Sequence, residues 1–255
     1  MIVLFTDFGA HDIYVAQVKA ELLEHFPAAV LLDLLHNAPN FRVAAGAHLL
    51  AALQERFPAE SVFLAVVDPR VGTDRDAIVL QADEKWYVGP DNGLLSVVSA
   101  RAAQRRTWRI IWRPQRLSSS FHGRDLFAPI AAWIARGEFP HDNVQETPDL
   151  QVRLGPEDLA EIIYIDHYGN ALTGLRASGV SRDAVLTLRD HRLKYAKVFG
   201  DVPAGSSFWY ENSIGLVELA ANGASAATLL GAKIVLYRSS GNPVHLEAGH
   251  GSTGR

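Results

Sequence analysis

Two polar stretches of this chain carry side chains whose types and spacing suit proton chemistry. The first runs from Ser118 to Pro129 and reads SSSFHGRDLFAP, with His122 standing between a serine run and an apolar stretch, Ile130 to Ile134, at helical spacing. An imidazole titrates nearest neutrality, so His122 at the mouth of a core element can donate, accept or orient a proton without an extreme shift. Read alone, it is more readily a solvated turn residue, with Gly123 supplying a positive φ; the second stretch changes that weighting. The second stretch, Asp68-Pro69-Arg70-Val71-Gly72-Thr73-Asp74-Arg75, leaves the C-terminal end of the apolar run Ser61 to Val67. Pro69 stops that run and Gly72 lets the chain fold back. Ligands of open α/β sheets bind beyond the strand ends, so Asp68 and Arg75 stand where chemistry is expected.

Other polar clusters are weaker signals. Asp7 and Asp12 flank a turn at Gly9, where a carboxylate can accept both hydroxyls of a ribose; for Asp12 an Asx-turn or helix N-cap is an equal reading. Asp91-Asn92-Gly93 is a plain β-turn signal. Asp166-His167-Tyr168-Gly169-Asn170 closes one apolar run and Asn212-Ser213-Ile214-Gly215 precedes another. There Asp166 could pair with an ammonium, Ser213 could bond a carboxylate, and Tyr168 or Phe199 could stack on a base. Each has a turn or core reading of its own, and the interest lies in their occurring together.

The elements that must position these groups follow from periodicity. Ile2 to Phe5 reads as a strand, Ile13 to Phe26 as an amphipathic helix ended by Pro27, Ala29 to Leu35 as a buried strand, and Val43 to Phe57 as a helix ended by Pro58. Ser61 to Val67, Ala77 to Gln81 and Lys85 to Val88 add strands. This alternation predicts an α/β fold with a largely parallel sheet over residues 1–150. From Gln145 to Leu159 the composition shifts to Pro-, Gly- and Asp-rich punctuation, the expected domain boundary. Beyond it, Ile162 to Ile165, Ala184 to Leu188, Lys194 to Phe199, Ser207 to Tyr210, Leu216 to Leu219 and Lys233 to Tyr237 read as short strands, with a helical turn within Gly223 to Gly231. A small all-β domain over 151–238, a barrel, is the expectation, followed by a flexible tail over 239–255.

Composition narrows the function classes. Of 255 residues, 48% are hydrophobic and 20% charged, as in ordinary soluble proteins, and a net charge of −4 argues against a nucleic-acid or anionic-membrane surface. The chain has no cysteine, which excludes disulfides, zinc–thiolate sites and thiol nucleophiles together. Its histidines lack matched partners at metal-site spacings, so neither metal nor cofactor is expected. Met1 to Asp7 has no basic leader and the apolar runs are too short to span a bilayer; a cytoplasmic enzyme is expected.

Taken together, six clusters resemble one family. Thr6-Asp7-Phe8-Gly9 with Asp12, Asp68-Pro69 with Val71-Gly72-Thr73 and Arg75, Pro90 to Leu95, Phe121 to Asp125 with Phe127-Ala128-Pro129, Asp166 to Asn170, and Asn212-Ser213 with Gly215 are similar, in order, to the S-adenosyl-L-methionine (SAM) hydroxide adenosyltransferases, the SAM hydrolases related to fluorinase and chlorinase. The resemblance runs from residue 6 to about residue 231, nearly the whole chain. It implies an N-terminal α/β domain, a C-terminal β-barrel, and a homotrimer with sites between the N-domain of one subunit and the C-domain of its neighbour. It further implies a triad of Asp68, Arg75 and His122 that activates water for attack at C5′ of the ribose, giving adenosine and L-methionine. By the same likeness Asp7 would hold the ribose hydroxyls, Asp166 the methionine ammonium and Ser213 its carboxylate. Phe199 and Asn170, with the backbone near Asn222 and Gly223, would surround the adenine, with Phe41, Asn92, Phe121, Gly123 and Tyr168 as further contacts.

The chemistry suits such a site. A sulfonium leaves readily, so no acid is needed for its departure; an in-line nucleophile and a dry pocket are. Carboxylate, guanidinium and imidazole together can hold a water in line and assist loss of its proton. The nearest alternative is a halogenase of the same fold, but in those relatives the Asp and His positions carry other residues and a halide-binding serine replaces Gly123. A non-catalytic SAM or adenosine sensor is a second alternative, against which the intact triad counts. Arg70 departs from the family's usual glycine and would either disturb Asp68 or point to solvent.

Overall fold

The computed structural model describes residues 1–232 and 245–247. It divides after Pro156 into two compact units. In unit 1 the chain runs β1 (Ile2–Thr6), α1 (Tyr14–His25), β2 (Leu31–Leu35), α2 (Val43–Leu53), β3 (Val62–Val66), β4 (Ala77–Ala82), β5 (Lys85–Pro90), α3 (Ser96–Arg101), β6 (Arg105–Ile110), α4 (Ala128–Ala135) and β7 (Val144–Thr147). These strands form one seven-stranded sheet in the order β2-β1-β3-β5-β4-β6-β7.

The sheet is mixed, which corrects the expectation of a largely parallel one. β2, β1, β3 and β5 run parallel, whereas β4, β6 and β7 pair antiparallel with their neighbours. The physical reason is local: only Asp83 and Glu84 separate β4 from β5, and Asp83 adopts φ 50°. A link of that length closes a hairpin and cannot carry the crossover a parallel pair requires. β2 is also an edge strand, with none of its five residues fully buried, where the sequence suggested a buried one.

β1 and β3 lie inside the parallel part of the sheet, between β2 and β5, and all of their residues are buried. Strand alternation sends Ile2, Leu4, Leu64 and Val66 into one core layer with Val18 and Leu22 of α1 and Ile130, Ala131 and Ile134 of α4. On the other face, Gly46 of α2 leaves room for Phe5, Val67 and Leu94; a Cβ there would meet the Leu94 side chain at 3.1 Å. Helices on both faces and apolar runs in the central strands are how parallel pairs escape water. Because β1 and β3 are adjacent and parallel, their C-terminal ends release Asp7 and Asp68 at the same edge of the sheet.

Unit 2 holds β8 (Leu159–Ile165), β9 (Ala171–Arg176), β10 (Val185–Leu188), β11 (His191–Leu193), β12 (Ser207–Glu211), β13 (Leu216–Ala221), the short helix α5 (Ala226–Leu229) and β14 (His245–Glu247). Its strands form two antiparallel sheets, β12-β13-β9-β8 and β11-β10-β14, and no closed barrel among the described residues. Lys194 to Phe199 is not a strand: only Tyr195 bridges Trp209, and Phe199 opens a 3₁₀ turn. The expected strand Lys233 to Tyr237 lies outside the described residues. Within 239–255, where the sequence shows no core-forming pattern, His245–Glu247 pairs with β10.

Candidate functional site

Two loops of unit 1 close on each other to build the first cluster. After β3, Asp68 begins a tight return in which Val71 N–H donates to Asp68 O (3.3 Å) and Thr73 N–H to Arg70 O (3.2 Å). Gly72 sits in the left-handed region at φ +80°, and a Cβ on it would lie 2.1 Å from the carbonyl oxygen of Ser119. Only glycine permits that approach of the loop carrying Arg75 to the loop carrying His122. The second loop is braced by its own charges: Asp125 accepts from Ser118 N–H (2.7 Å) and Arg124 Nε (2.5 Å), and Arg124 reaches Gln17 of α1 (2.8 Å). Residues Gly123–Phe127 then form one π-helical turn before α4, with His122 at its N-terminal edge. Such turns widen a helix locally and recur at functional sites.

Within this frame Arg75 is the hub. Its Nε donates to both oxygens of Asp68 (3.0 and 2.9 Å), and Nη2 closes a further ion pair with the same carboxylate. Nη2 also lies 3.3 Å from His122 Nδ1. Guanidinium can only donate, so Nδ1 is the acceptor and the neutral ring carries its proton on Nε2. The Arg75 and Asp68 side chains are 7% and 5% exposed, and the guanidinium stacks over the Phe127 ring at 5.3 Å. Burial first, and then the Arg75 charge, push the His122 pKa below its ordinary value. Arg70 is exposed, its carbonyl serving the turn, which fits the solvent-facing reading.

Asp7 belongs to the same edge. Its backbone N–H donates to Val66 O at 3.2 Å, and its carboxyl is pushed up to about 6 by burial, with Asp68 adding to the rise. The turn that presents it is anchored from behind by a chain the sequence reading missed. Thr6 Oγ1 bonds His36 Nδ1 (2.8 Å), His36 Nε2 bonds Asp33 (2.9 Å), and Lys19 bonds Asp33 (2.6 Å). His36 at the end of an apolar run, three residues after Asp33, was the available signal.

The remaining unit 1 residues divide. Phe121 joins Phe8 and Tyr14 in an edge-to-face cluster (5.7 and 5.4 Å), and a Cβ on Gly123 would meet the Phe8 ring at 2.8 Å. Asn92 is occupied by the fold, donating to Val67 O (2.8 Å) and accepting from Leu94 N–H (3.2 Å), so it pins the end of β3. Asp12 closes a local turn onto Ile13 N–H at 2.7 Å. Phe41 is 55% exposed with φ 61°, an uncommon conformation for a bulky residue.

Unit 2 contains a cavity of about 640 Å³ whose lining includes Asp166, Tyr168, Asn170, Phe199 and Gly223. Tyr210 and Ser225, not singled out from the sequence, line it too. Phe199 stands edge-on to Phe208 (5.2 Å) and Tyr210 (5.5 Å), an aromatic wall fit for a planar base. Asp166 organises the turn below that wall: Oδ1 accepts from Tyr168 and Asn170 N–H (2.9 and 2.8 Å) and Oδ2 from the Asn170 amide (3.1 Å). Ser213 is exposed and outside the lining, and Asn222 is tied to Val202 O (2.8 Å). Among the described residues no group of His, Asp or Glu is placed to hold a metal, and no helix is long and apolar enough to cross a membrane.

Comparison with known proteins bears on both units. The family model of the SAM hydroxide adenosyltransferase N-terminal domain matches residues 2–144, and that of the C-terminal domain matches residues 160–235. A (R)-S-adenosyl-L-methionine hydrolase of Salinispora tropica is 40% identical over 243 residues, covering 89% of this chain and 92% of the relative. One of the same name from Thermus thermophilus is 36% identical over 249 residues, covering 89% and 94%. The crystal structure of an uncharacterized conserved protein from Thermotoga maritima superposes with a TM-score of 0.84 at 29% identity, covering 96% of this chain and 99% of that one. With both domain models matched in order and relatives of this identity aligned over nearly their full length, the chain belongs to the SAM hydroxide adenosyltransferase family.

Proposed function

We propose that this protein hydrolyses SAM by attack of water at C5′ of the ribose, releasing adenosine and L-methionine. The observation that carries the reading is the Asp68–Arg75–His122 contact, held by two loops that meet at Gly72. Arg75 fixes both partners. The Asp68 carboxylate keeps lone pairs beyond those Arg75 occupies and takes the proton that water sheds. His122 Nε2–H donates to the water oxygen and holds it in line. As the new C5′–O bond forms, the C5′–S electrons return to sulfur, which departs as the neutral thioether of methionine. The positive leaving group asks nothing of an acid. The test is incubation with SAM, first without halide and then with chloride or fluoride, followed by product separation. Adenosine and methionine in both cases support the reading; 5′-halo-adenosine would overturn it.

Asp7, in this reading, accepts the ribose hydroxyls, the Phe199 wall and Asn170 take the adenine, and Asp166 with Ser213 takes the amino-acid end. The unpaired ammonium of methionine would be costly to bury without an anion. Asp166→Asn should therefore weaken SAM by about 1–3 kcal/mol while adenosine, which lacks that end, keeps its affinity. Calorimetric titration with each ligand makes the comparison, and equal weakening of both would return Asp166 to the turn it builds.

The pH dependence has a definite sign. Asp7 titrates at about 6, so its carboxylate, with full acceptor capacity, exists above that pH. Protonating His122 places an N–H against Arg75, so its neutral form is also the competent one, and its pKa is lowered. Asp7 predicts that kcat/KM rises with pH through about 6 and then levels, and the lowered His122 adds a change of the same sign below its ordinary range. A flat profile between about pH 5 and about pH 7 would contradict it.

Because the ribose carboxylate lies in unit 1 and the methionine groups in unit 2, the same reading places sites between neighbouring subunits of a homotrimer. Sedimentation should find a trimer, and activity should fall on dilution below its dissociation range. An active dilute monomer would refute the assembly.

A further inference from the structure

The sheet face beneath the unit 2 cavity holds a buried acid that the mechanism above does not use. In the apolar strand β13, Val217, Leu219 and Ala221 point into the core of unit 2 with Trp209. Alternation turns Glu218 to the other face, where Phe208, Ala220 and Tyr210 gather. Glu218 is only 4% exposed, pairs across the sheet with Tyr210 on one side and Leu172 on the other, and sits where an apolar residue would be ordinary. A buried carboxylate is retained against its desolvation only if something engages both oxygens.

Two neutral groups do so. Tyr210 Oη donates to Glu218 Oε1 at 2.6 Å, and the Asn212 amide donates to Oε2 at 2.8 Å. Tyr210 lines the cavity and supports the Phe199 ring. Asn212 is the keystone of the turn carrying Ser213: its Oδ1 accepts from Ile214 N–H (3.1 Å) and Leu216 N–H (2.9 Å). One carboxyl group therefore ties the aromatic wall of the cavity to the turn on the next strand connection.

We infer that Glu218 is a positioning residue for substrate binding, locking the Tyr210 wall and the Asn212–Gly215 turn in one register; the inference rests on the SAM reading above. What it contributes is one contact to each of two groups on different elements. Burial pushes the Glu218 carboxyl up, and the bonds from Tyr210 and Asn212, which a carboxylate accepts best, pull against that rise. Glutamine, of equal length and with one acceptor and one donor end, can bridge the same two groups, since a phenol oxygen also accepts. Alanine cannot.

The test compares Glu218→Ala with Glu218→Gln, reading KM and kcat for SAM, direct SAM binding by calorimetry, and melting temperature. Glu218→Ala should raise KM and the SAM dissociation constant by about tenfold or more, with kcat at saturation falling less than KM rises, and Glu218→Gln should recover to within about threefold of the wild type. Tyr210→Phe, which cuts one arm only, should fall between them. A glutamine variant as impaired as alanine would make the negative charge the operative feature and overturn the inference. So would a Glu218→Ala variant that melts lower and loses active fraction with KM unchanged, since that is a purely structural role. A wild type that retains SAM without turning it over would sink the hydrolase reading, and the calorimetric ranking of the variants would still decide Glu218.

Discussion

Replacing Asp68 by asparagine, or His122 by alanine, is expected to lower kcat by about 10²- to 10⁴-fold while changing SAM affinity by less than about threefold. The reasoning is geometric. Both side chains meet at Arg75 and touch each other only through it, so they form one device for holding and deprotonating water. Asparagine at 68 keeps the size of the side chain and one acceptor, so Arg75 retains a partner and the loop should stay closed. Stopped-time turnover assays with matched calorimetry separate the two quantities. Parallel losses in turnover and binding would reassign both residues to the substrate.

The second large effect is expected at a residue that touches no substrate. Gly72→Ala carries two burdens: the left-handed φ of +80°, and a Cβ that would stand 2.1 Å from Ser119 O. Backbone cannot yield to that clash without parting the two loops, so the Arg75–His122 contact of 3.3 Å should open and kcat should fall by at least about tenfold. Gly137→Ala supplies the control, because its φ is +87° and nothing lies within 4 Å of the added Cβ. It incurs the conformational penalty, roughly 1 kcal/mol, without the clash. A drop in melting temperature with kcat intact is therefore expected at Gly137, and a drop in both at Gly72. Full activity in Gly72→Ala would mean that loop closure is not what assembles the triad.

Both predictions stand on features that the amino-acid pattern conveyed unevenly. Ile2 to Phe5 and Ser61 to Val67 are short, largely apolar runs, so the two fully buried parallel strands β1 and β3 and the polar residues at their ends were legible. The direction of β4 was not read, although the two-residue link to β5 held the information, because strand periodicity is the same in either direction. β6 was missed since Arg105, Arg106 and Arg109, all exposed, break up its apolar pattern. Lys194 to Phe199 misled in the opposite sense, its alternation serving one bridge and an aromatic contact with Tyr210 instead of a ladder. For the site, residue types pointed to Asp68, Arg75 and His122, but nothing in the pattern announced that Gly72 would bring their loops together. Glu218 and His36 escaped because each is a single polar residue in or beside an apolar run, and its importance lies in partners distant in sequence or across a strand pair.

The central claim is that water attacks C5′ of SAM under the control of Asp68, Arg75 and His122. Turnover in water enriched in oxygen-18, with both products analysed by mass spectrometry, tests it most directly. The account predicts one heavy oxygen in the 5′-hydroxyl of adenosine, none in methionine, and loss of that labelled product in Asp68→Asn. Label in the amino-acid product, or a 5′-hydroxyl that remains unlabelled, would contradict it.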